Sequence, residues 1–64
     1  MKQRIDWDFE VGDNVDYVSD EVEVVGRIFD FDKEEHAYLI FHNEESVMEY
    51  KAKQVLEEYS EIAD

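Results

Sequence analysis

Hydrophobic and acidic residues alternate near the start of the chain. The apolar positions of this alternation are Ile5, Trp7, Phe9 and Val11. A period of two is typical of a β-strand with one buried face and one solvated face, so we predict a first strand over residues 5–11. The segment Gly12-Asp13-Asn14 has the composition of a turn, and the alternation around Val15 and Tyr17 predicts a second strand.

The middle of the chain predicts three further strands. A polar turn at residues 19–21 precedes a stretch rich in β-branched and aromatic residues from Val22 to Phe31, in which Gly26 indicates a bulge or bend. Residues 32–35 form the next polar turn. The segments His36–His42 and Ser46–Tyr50 are separated by a short acidic turn, which is the pattern of a β-hairpin.

The period changes at the end of the chain. Apolar residues there recur at intervals of three and four, at Ala52, Val55, Leu56, Tyr59, Ile62 and Ala63. This spacing predicts a short amphipathic helix. The segment also fits a single helical turn at residues 53–55 followed by a last edge strand from Leu56 to Tyr59, and periodicity over so few residues leaves both interpretations open.

Four segments follow the order found in a group of small β domains. They are Phe9–Val15, Gly26–Asp32, Tyr38–Phe41 and Tyr50–Leu56. They resemble, in turn, the opening turn and first strand, two middle strands, and the last strand with its closing helical turn of SH3-like barrels, the group of KOW, Tudor and CarD-type RNA-polymerase-binding modules. The resemblance implies a mainly β fold, a small SH3-like barrel of about five antiparallel strands with a short C-terminal helix.

Length and composition exclude several classes of protein. A chain of 64 residues forms at most one small domain, here residues 1–64, and buries only about 60% of the surface that its unfolded form exposes. A hydrophobic content of 44% argues against disorder. The absence of cysteine favours a reducing, cytoplasmic setting. No apolar run is long enough for a membrane span or a signal peptide.

The charge balance is strongly negative and unevenly distributed. Nineteen acidic residues against six basic ones give a net charge of -13. Direct binding to nucleic acid is therefore disfavoured, and the expected partner is a basic protein surface. Eight acidic residues fall in one segment without lysine or arginine: Asp6, Asp8, Glu10, Asp13, Asp16, Asp20, Glu21 and Glu23.

Part of this acidic segment has the spacing of nucleic-acid phosphates. On a strand, Asp6, Asp8 and Glu10 would form a straight row about 6.7 Å apart, close to the separation of phosphates along a DNA backbone. The composition is also similar to that of phage DNA-mimic inhibitors, which are small, acidic, cysteine-poor and free of catalytic groups. That likeness implies a non-catalytic inhibitor in the basic groove of a nucleic-acid-binding protein or enzyme.

Two other functions fit the same sequence. A Tudor- or CarD-like adaptor would bind a transcription or RNA-processing protein through its barrel edge or through an aromatic pocket. The residues available for such a pocket are Trp7, Tyr17, Phe29, Tyr38 and Tyr50, although aromatic residues at these positions also suit a core. In the third interpretation, the charge serves solubility alone.

An inhibitor of this kind needs an apolar anchor beside its charges, because electrostatics mainly steers the encounter. The strand His36–His42 places Tyr38 and Ile40 on one face and Leu39 and Phe41 on the other. We predict Tyr38 and Ile40 as the anchor, which together with the eight acidic residues completes the predicted binding site. Packing under the C-terminal helix is the alternative for both residues.

No pattern in the sequence favours catalysis or a cofactor. His36 and His42 would lie about 20 Å apart on one strand, too far to share a metal ion. The segment starting at Asp30 resembles a calcium-binding loop, but Glu35 and Phe41 stand where that loop needs glycine and glutamate. We expect no enzymatic activity, no metal and no cofactor.

Overall fold

Apolar and polar residues alternate in five segments that pair into one antiparallel sheet. The computed structural model describes residues 5–63. Its elements are β1 (Asn14–Tyr17), β2 (Asp20–Asp30), β3 (Glu35–His42), β4 (Val47–Ala52), α1 (Lys53–Tyr59) and β5 (Ser60–Ile62). The strand order is β4-β3-β2-β1-β5. This confirms the mainly β fold with five antiparallel strands and a short C-terminal helix, while the described strands form an open sheet with β4 and β5 at its edges.

The predicted irregularity in β2 lies beside Gly26. Val24 pairs with Ile40 and Gly26 pairs with Leu39, so Val25 has no partner on β3. A bulge of this kind bends the strand and increases its twist. A Cβ atom at position 26 would lie 3.4 Å from the Leu39 Cβ atom, which is an ordinary van der Waals contact.

The β1–β2 hairpin turns earlier than the sequence predicts. Tyr17 pairs with Asp20, so the loop consists of Val18 and Ser19, whose φ angles are 45° and 72°. Two-residue loops with positive φ at both positions match the twist of antiparallel strands. They usually contain Asn and Gly, and the Val-Ser sequence therefore gives no turn signal.

The core lies on one side of the sheet, which we call the inner face. Its buried residues are Phe9, Val15, Val22, Val24, Tyr38, Ile40 and Leu56. Neighbouring side chains along a strand point to opposite sides, so the residues between these positions belong to the outer face. Lys51 of β4 lies over the Tyr17 ring of β1 at 5.2 Å, which shows that the sheet curls around the core.

The predicted first strand over residues 5–11 is wrong. These residues are irregular. Phe9 is buried and Trp7 is half-buried, as the alternation predicts, but Val11 is 58% exposed. A strand needs the backbone of a neighbour, and this segment bonds to side chains instead. The Asp8 N–H donates to Glu57 (2.9 Å), and the Phe9 N–H donates to the Tyr38 hydroxyl (3.2 Å).

The C-terminal segment forms a short helix followed by a last strand, but the strand predicted over Leu56–Tyr59 is wrong because those residues are helical. The helix α1 ends at Tyr59 and buries Leu56, and β5 follows it instead of starting at Leu56. Strand β5 pairs with β1 from Tyr17 to Val15, so β1 does not lie at an open edge with unpaired backbone groups. Within residues 5–63, no helix is long and apolar enough to cross a membrane.

Candidate protein-binding surface

The two predicted anchor residues, Tyr38 and Ile40, lie in the core. Both are 0% exposed, so the prediction that they contact a partner is contradicted by their burial. The Tyr38 hydroxyl donates a hydrogen bond to Glu57 of α1, and Leu56 of the same helix belongs to the same core cluster. Both residues therefore pack under the C-terminal helix, which is the alternative predicted for them from the sequence.

Glu57 and Tyr38 fasten the N-terminal segment to the sheet. Glu57 Oε2 accepts hydrogen bonds from the Tyr38 hydroxyl and from the Asp8 N–H, and Glu57 Oε1 accepts one from Lys53 Nζ at 2.8 Å. The Tyr38 hydroxyl also accepts the Phe9 N–H. We call this hydrogen-bonded group of Asp8, Phe9, Tyr38, Lys53 and Glu57 the clasp. It satisfies backbone N–H groups that would otherwise need a strand partner.

The clasp shifts the pKa of two of its members. Burial raises the pKa of Tyr38, and Glu57 raises it further, so the phenol remains a hydrogen-bond donor. Burial also opposes the charge on Glu57. Hydrogen bonds from the Asp8 N–H, Lys53 and Tyr38 outweigh that burial and hold the pKa of Glu57 below its ordinary value of 4.5.

Replacing this carboxylate is expected to destabilise the fold at neutral pH. Glu57→Gln keeps the shape of the side chain but loses the charge, and hydrogen bonds to charged groups contribute about 1.5–3 kcal/mol each to stability. A lowered pKa means that the stabilisation is complete well above pH 4.5 and is lost as the pH falls through the folded-state pKa. Urea unfolding between neutral and acidic pH should therefore show a difference from wild type that shrinks with acidification.

The neighbouring residue Glu58 provides the control for this change. Glu58 is exposed on the same helix, and Glu58→Gln removes the same charge from the chain. We expect Glu58→Gln to leave the unfolding free energy unchanged or slightly higher. Equal losses in the Glu57 and Glu58 variants would show that the clasp does not stabilise the protein.

The predicted acidic residues do not lie on a single strand. Asp6, Asp8 and Glu10 are exposed on the irregular segment, so they do not form the predicted row along a strand. The Asp13 carboxylate accepts the Glu10 N–H at 2.9 Å and closes a local turn. The other four acidic residues lie on β1 and β2: Asp16, Asp20, Glu21 and Glu23.

A different line of carboxylates crosses the strands on the outer face. Asp16 of β1 lies directly opposite Glu21 of β2 and directly opposite Glu61 of β5. All three are exposed, and we call them the carboxylate row. Adjacent strands are about 4.8 Å apart, well within the Debye length of about 8 Å at physiological salt. Like charges in this position repel each other and destabilise a sheet.

The basic side chains of the described residues lie away from the carboxylate row. Arg27 donates to the Phe9 carbonyl at 3.3 Å, and Lys53 pairs with Glu57. Lys51 lies on the inner face, and Lys33 lies in the β2–β3 turn. Within residues 5–63, no ion pair reaches a member of the row. Over that part of the chain, the repulsion in the row is not offset by a neighbouring cation.

The outer face also carries exposed and half-buried apolar side chains beside the acidic ones. We call this set the apolar strip, and its members are Ile28, Leu39, Phe41, Met48 and Tyr50. Phe41 pairs with Met48, and Leu39 pairs with Tyr50. Met48 is 60% exposed and Tyr50 is 59% exposed. Glu23 lies directly opposite Phe41, so the strip borders the acidic part of the face.

Only some of the aromatic residues considered for a binding pocket contact one another. Trp7 packs edge-on against Tyr38, with ring centroids 4.9 Å apart, and the Arg27 guanidinium lies 5.5 Å from its centroid. Tyr17 lies beneath Lys51 on the inner face, whereas Tyr50 lies on the outer face. Phe29 packs instead on Phe31 and His36. Among the described residues, these rings therefore do not converge on one open cage.

The two histidines occupy different environments. The His36 ring packs edge-on against Trp7, with centroids 5.6 Å apart. His42 Nε2 lies 2.6 Å from a Glu49 carboxylate oxygen. In the part of the chain that the structure describes, no three acidic or histidine side chains are grouped to hold a metal ion.

Two parts of the outer face are not predicted by the sequence pattern. Neither predicted arrangement of the C-terminal segment places Glu61 in a strand, so the pattern gives no indication that Glu61 lies beside Asp16. It predicts a strand through Met48 and Tyr50, but it suggests Tyr50 only for an aromatic pocket and assigns Met48 no role in binding. Leu39 and Phe41 alternate with Tyr38 and Ile40, so the sequence does indicate that the two pairs lie on opposite faces of the strand. Both pairs are apolar, however, and the pair predicted as the anchor is the one that is buried.

Comparisons with known proteins leave the outer face as the basis for inferring function. The chain matches no protein-family model, no curated protein and no solved structure. Its notable surface features are the carboxylate row and the apolar strip, which share one side of the sheet.

Proposed function

We propose that this protein is a non-catalytic binding protein whose carboxylate row docks on a basic protein surface. Its partner is a nucleic-acid-binding protein or enzyme, and the row occupies the groove that otherwise holds phosphates. The protein thereby competes with DNA or RNA and acts as an inhibitor.

One observation carries this proposal: Asp16 faces a glutamate on each side. A sheet gains stability from opposite charges or β-branched pairs at directly opposed positions, and the carboxylate row has neither. Solubility requires only dispersed charges of mixed sign. Three adjacent carboxylates therefore suit an external cation, because a partner's arginines would relieve the repulsion on binding.

The carboxylate row offers the features that phosphate-binding surfaces recognise. Proteins that bind nucleic acid place lysine and arginine against a regular series of negative charges, independent of base sequence. The row presents such a series on three adjacent strands of the sheet. Glu23 extends it along β2 on the same face. Further negative charge comes from Asp20 and from the irregular segment, at Asp6, Asp8 and Glu10.

The adaptor function receives less support from the geometry. A cage for a partner's cation requires aromatic faces that are free to receive it, whereas Trp7 already has two cations of this chain near its ring, Arg27 at 5.5 Å and Lys53 at 5.8 Å. If the protein is an adaptor, Trp7→Ala should abolish binding in a folded protein, and neutralising the carboxylate row should have little effect.

The proposal is tested by capture followed by competition. The immobilised protein is incubated with host lysate at low salt, and the retained protein is identified and purified. Its binding to labelled DNA is then measured with increasing amounts of this protein. We expect DNA to be displaced in proportion to the added protein, with weaker displacement as salt increases. A stable complex of the partner with both molecules would contradict the proposal.

A matched pair of variants assigns the effect to the carboxylate row. The first carries Asp16→Asn, Glu21→Gln and Glu61→Gln. The control carries Glu34→Gln, Glu44→Gln and Glu58→Gln, which removes the same charge from exposed positions elsewhere. We expect only the first variant to lose displacement of DNA. Equal losses in both would mean that net charge, and not the row, determines binding.

A further inference from the structure

The apolar strip is uncovered in the part of the chain that the structure describes. The helix and the N-terminal segment both pack on the inner face, through Leu56 and Phe9. Tyr50 and Met48 are more than half exposed, and Ile28 is 37% exposed. A contiguous group of exposed apolar side chains often marks an interaction site.

Acidic groups border the apolar strip at two ends. Glu23 lies opposite Phe41 at the end nearest the carboxylate row. At the other end, a shallow groove includes Ile28 and Tyr50 together with Asp30 and Asp32. An apolar centre with a polar rim is the usual anatomy of a protein–protein interface. Here the residues identified at the rim, Glu23, Asp30 and Asp32, are all acidic.

We propose that the outer face is a single docking surface anchored by the apolar strip, and that its occupant is a basic protein surface with an apolar centre. This inference rests on the proposed function and adds the anchor to it. A second copy of the chain does not fit, because it would bring further carboxylates towards this face. A basic partner instead matches the rim in charge and the strip in polarity.

The two parts of the face are expected to act on different steps of binding. Long-range charge attraction accelerates association and weakens with salt, whereas close apolar packing mainly slows dissociation. The aliphatic stems of arginine and lysine cover apolar surface while their charged ends reach outwards. A partner arginine resting on Phe41 or Tyr50 would thus present its guanidinium to the acidic rim.

Two short synthetic peptides of equal positive charge test this inference. One alternates arginine with leucine, and the other alternates arginine with serine. Each peptide is titrated with the protein, and binding is followed by fluorescence anisotropy. The arginine–leucine peptide should bind about tenfold more tightly, because its leucine side chains are buried against the apolar strip. The ratio of the two affinities should persist as salt increases, while both affinities fall. Equal affinities, or no binding of either peptide, would overturn the inference.

Matched variants test which residues of the protein cause the tighter binding of the arginine–leucine peptide. Tyr50→Ala and Met48→Ala should reduce the affinity ratio towards one. Tyr59→Ala is the control, because Tyr59 is 57% exposed on α1, away from the strip. Circular dichroism confirms that each variant is folded. If Tyr59→Ala reduces the ratio as much as Tyr50→Ala does, the strip is not the anchor.

A second copy of the chain and a failure of the proposed function each give a distinct result. Sedimentation that reveals a dimer, abolished by Met48→Ala, would show that a second copy covers the strip and would overturn the inference. Failure of the proposed function has a different signature: the captured partner binds DNA and this protein together, while the peptides still discriminate through Tyr50 and Met48.

Discussion

The variant Tyr38→Ala is expected to be largely unfolded at room temperature. Tyr38 is fully buried between the sheet and α1, and replacing a buried aromatic residue by alanine costs about 3–5 kcal/mol. Its hydroxyl also holds the Phe9 N–H and Glu57, so the clasp opens as well. A domain of this size has a total stability of only about 3–10 kcal/mol, which leaves little reserve.

Circular dichroism with urea unfolding provides the measurement for this variant. Tyr50→Ala is the matched control, since it makes the same chemical change on the exposed outer face. We expect the Tyr50 variant to unfold close to wild type. Tyr38→Phe, which keeps the ring and loses the hydroxyl, should fall between the two. A Tyr38→Ala protein as stable as the Tyr50 variant would contradict the arrangement of inner and outer faces.

The variant Asp16→Lys is expected to be more stable than wild type and to lose partner binding. A lysine at this position faces Glu21 on one side and Glu61 on the other, so two repulsive pairs become two attractive ones. Thermal unfolding at low salt should show a melting temperature raised by several degrees. Added salt should raise the wild-type melting temperature more than that of the variant, because it screens a repulsion that the variant lacks.

The control for Asp16→Lys is a lysine placed away from the carboxylate row. Glu44 is exposed in the β3–β4 turn, and Glu44→Lys changes the net charge by the same amount. Its melting temperature should rise less than that of the Asp16 variant. Equal increases would mean that the total charge, and not the pairing across strands, limits stability.

Local sequence patterns predict the strands but not which of their faces is buried. The alternation and Gly26 are sufficient for β2 and its bulge, because both depend on residues close in the chain. In β3, however, Tyr38 and Ile40 on one face are as apolar as Leu39 and Phe41 on the other. Which pair is buried depends on the distant segments around Phe9 and α1, so the pattern of β3 alone cannot decide it.

The N-terminal segment shows the limit of alternation as a strand signal. Alternation of apolar and polar residues indicates that one side of a segment is buried, and Phe9 is buried. A strand additionally needs a free backbone edge beside it, and here the side chains of Tyr38 and Glu57 bond to the backbone instead. The predicted row of Asp6, Asp8 and Glu10 does not form for that reason.

The carboxylate row cannot be found from the sequence because its members are distant in the chain. Asp16 and Glu21 are recognisable as acidic residues of one segment, but Glu61 joins them only through the pairing of β5 with β1. A helix over the same residues satisfies the periodicity equally well. The last strand, β5, adds the third carboxylate to the two on β1 and β2.

Binding through the carboxylate row is tested most directly by the affinity of one partner for three proteins at the same salt concentration: wild type, Asp16→Lys and Glu44→Lys. The partner is the protein retained by capture, and isothermal titration gives each dissociation constant. We predict that Asp16→Lys binds at least about tenfold more weakly, a loss of about 1.4 kcal/mol, although it is the most stable of the three. Glu44→Lys should remain close to wild type. Equal affinities in all three proteins, or equal losses in both lysine variants, would contradict a binding role for the carboxylate row.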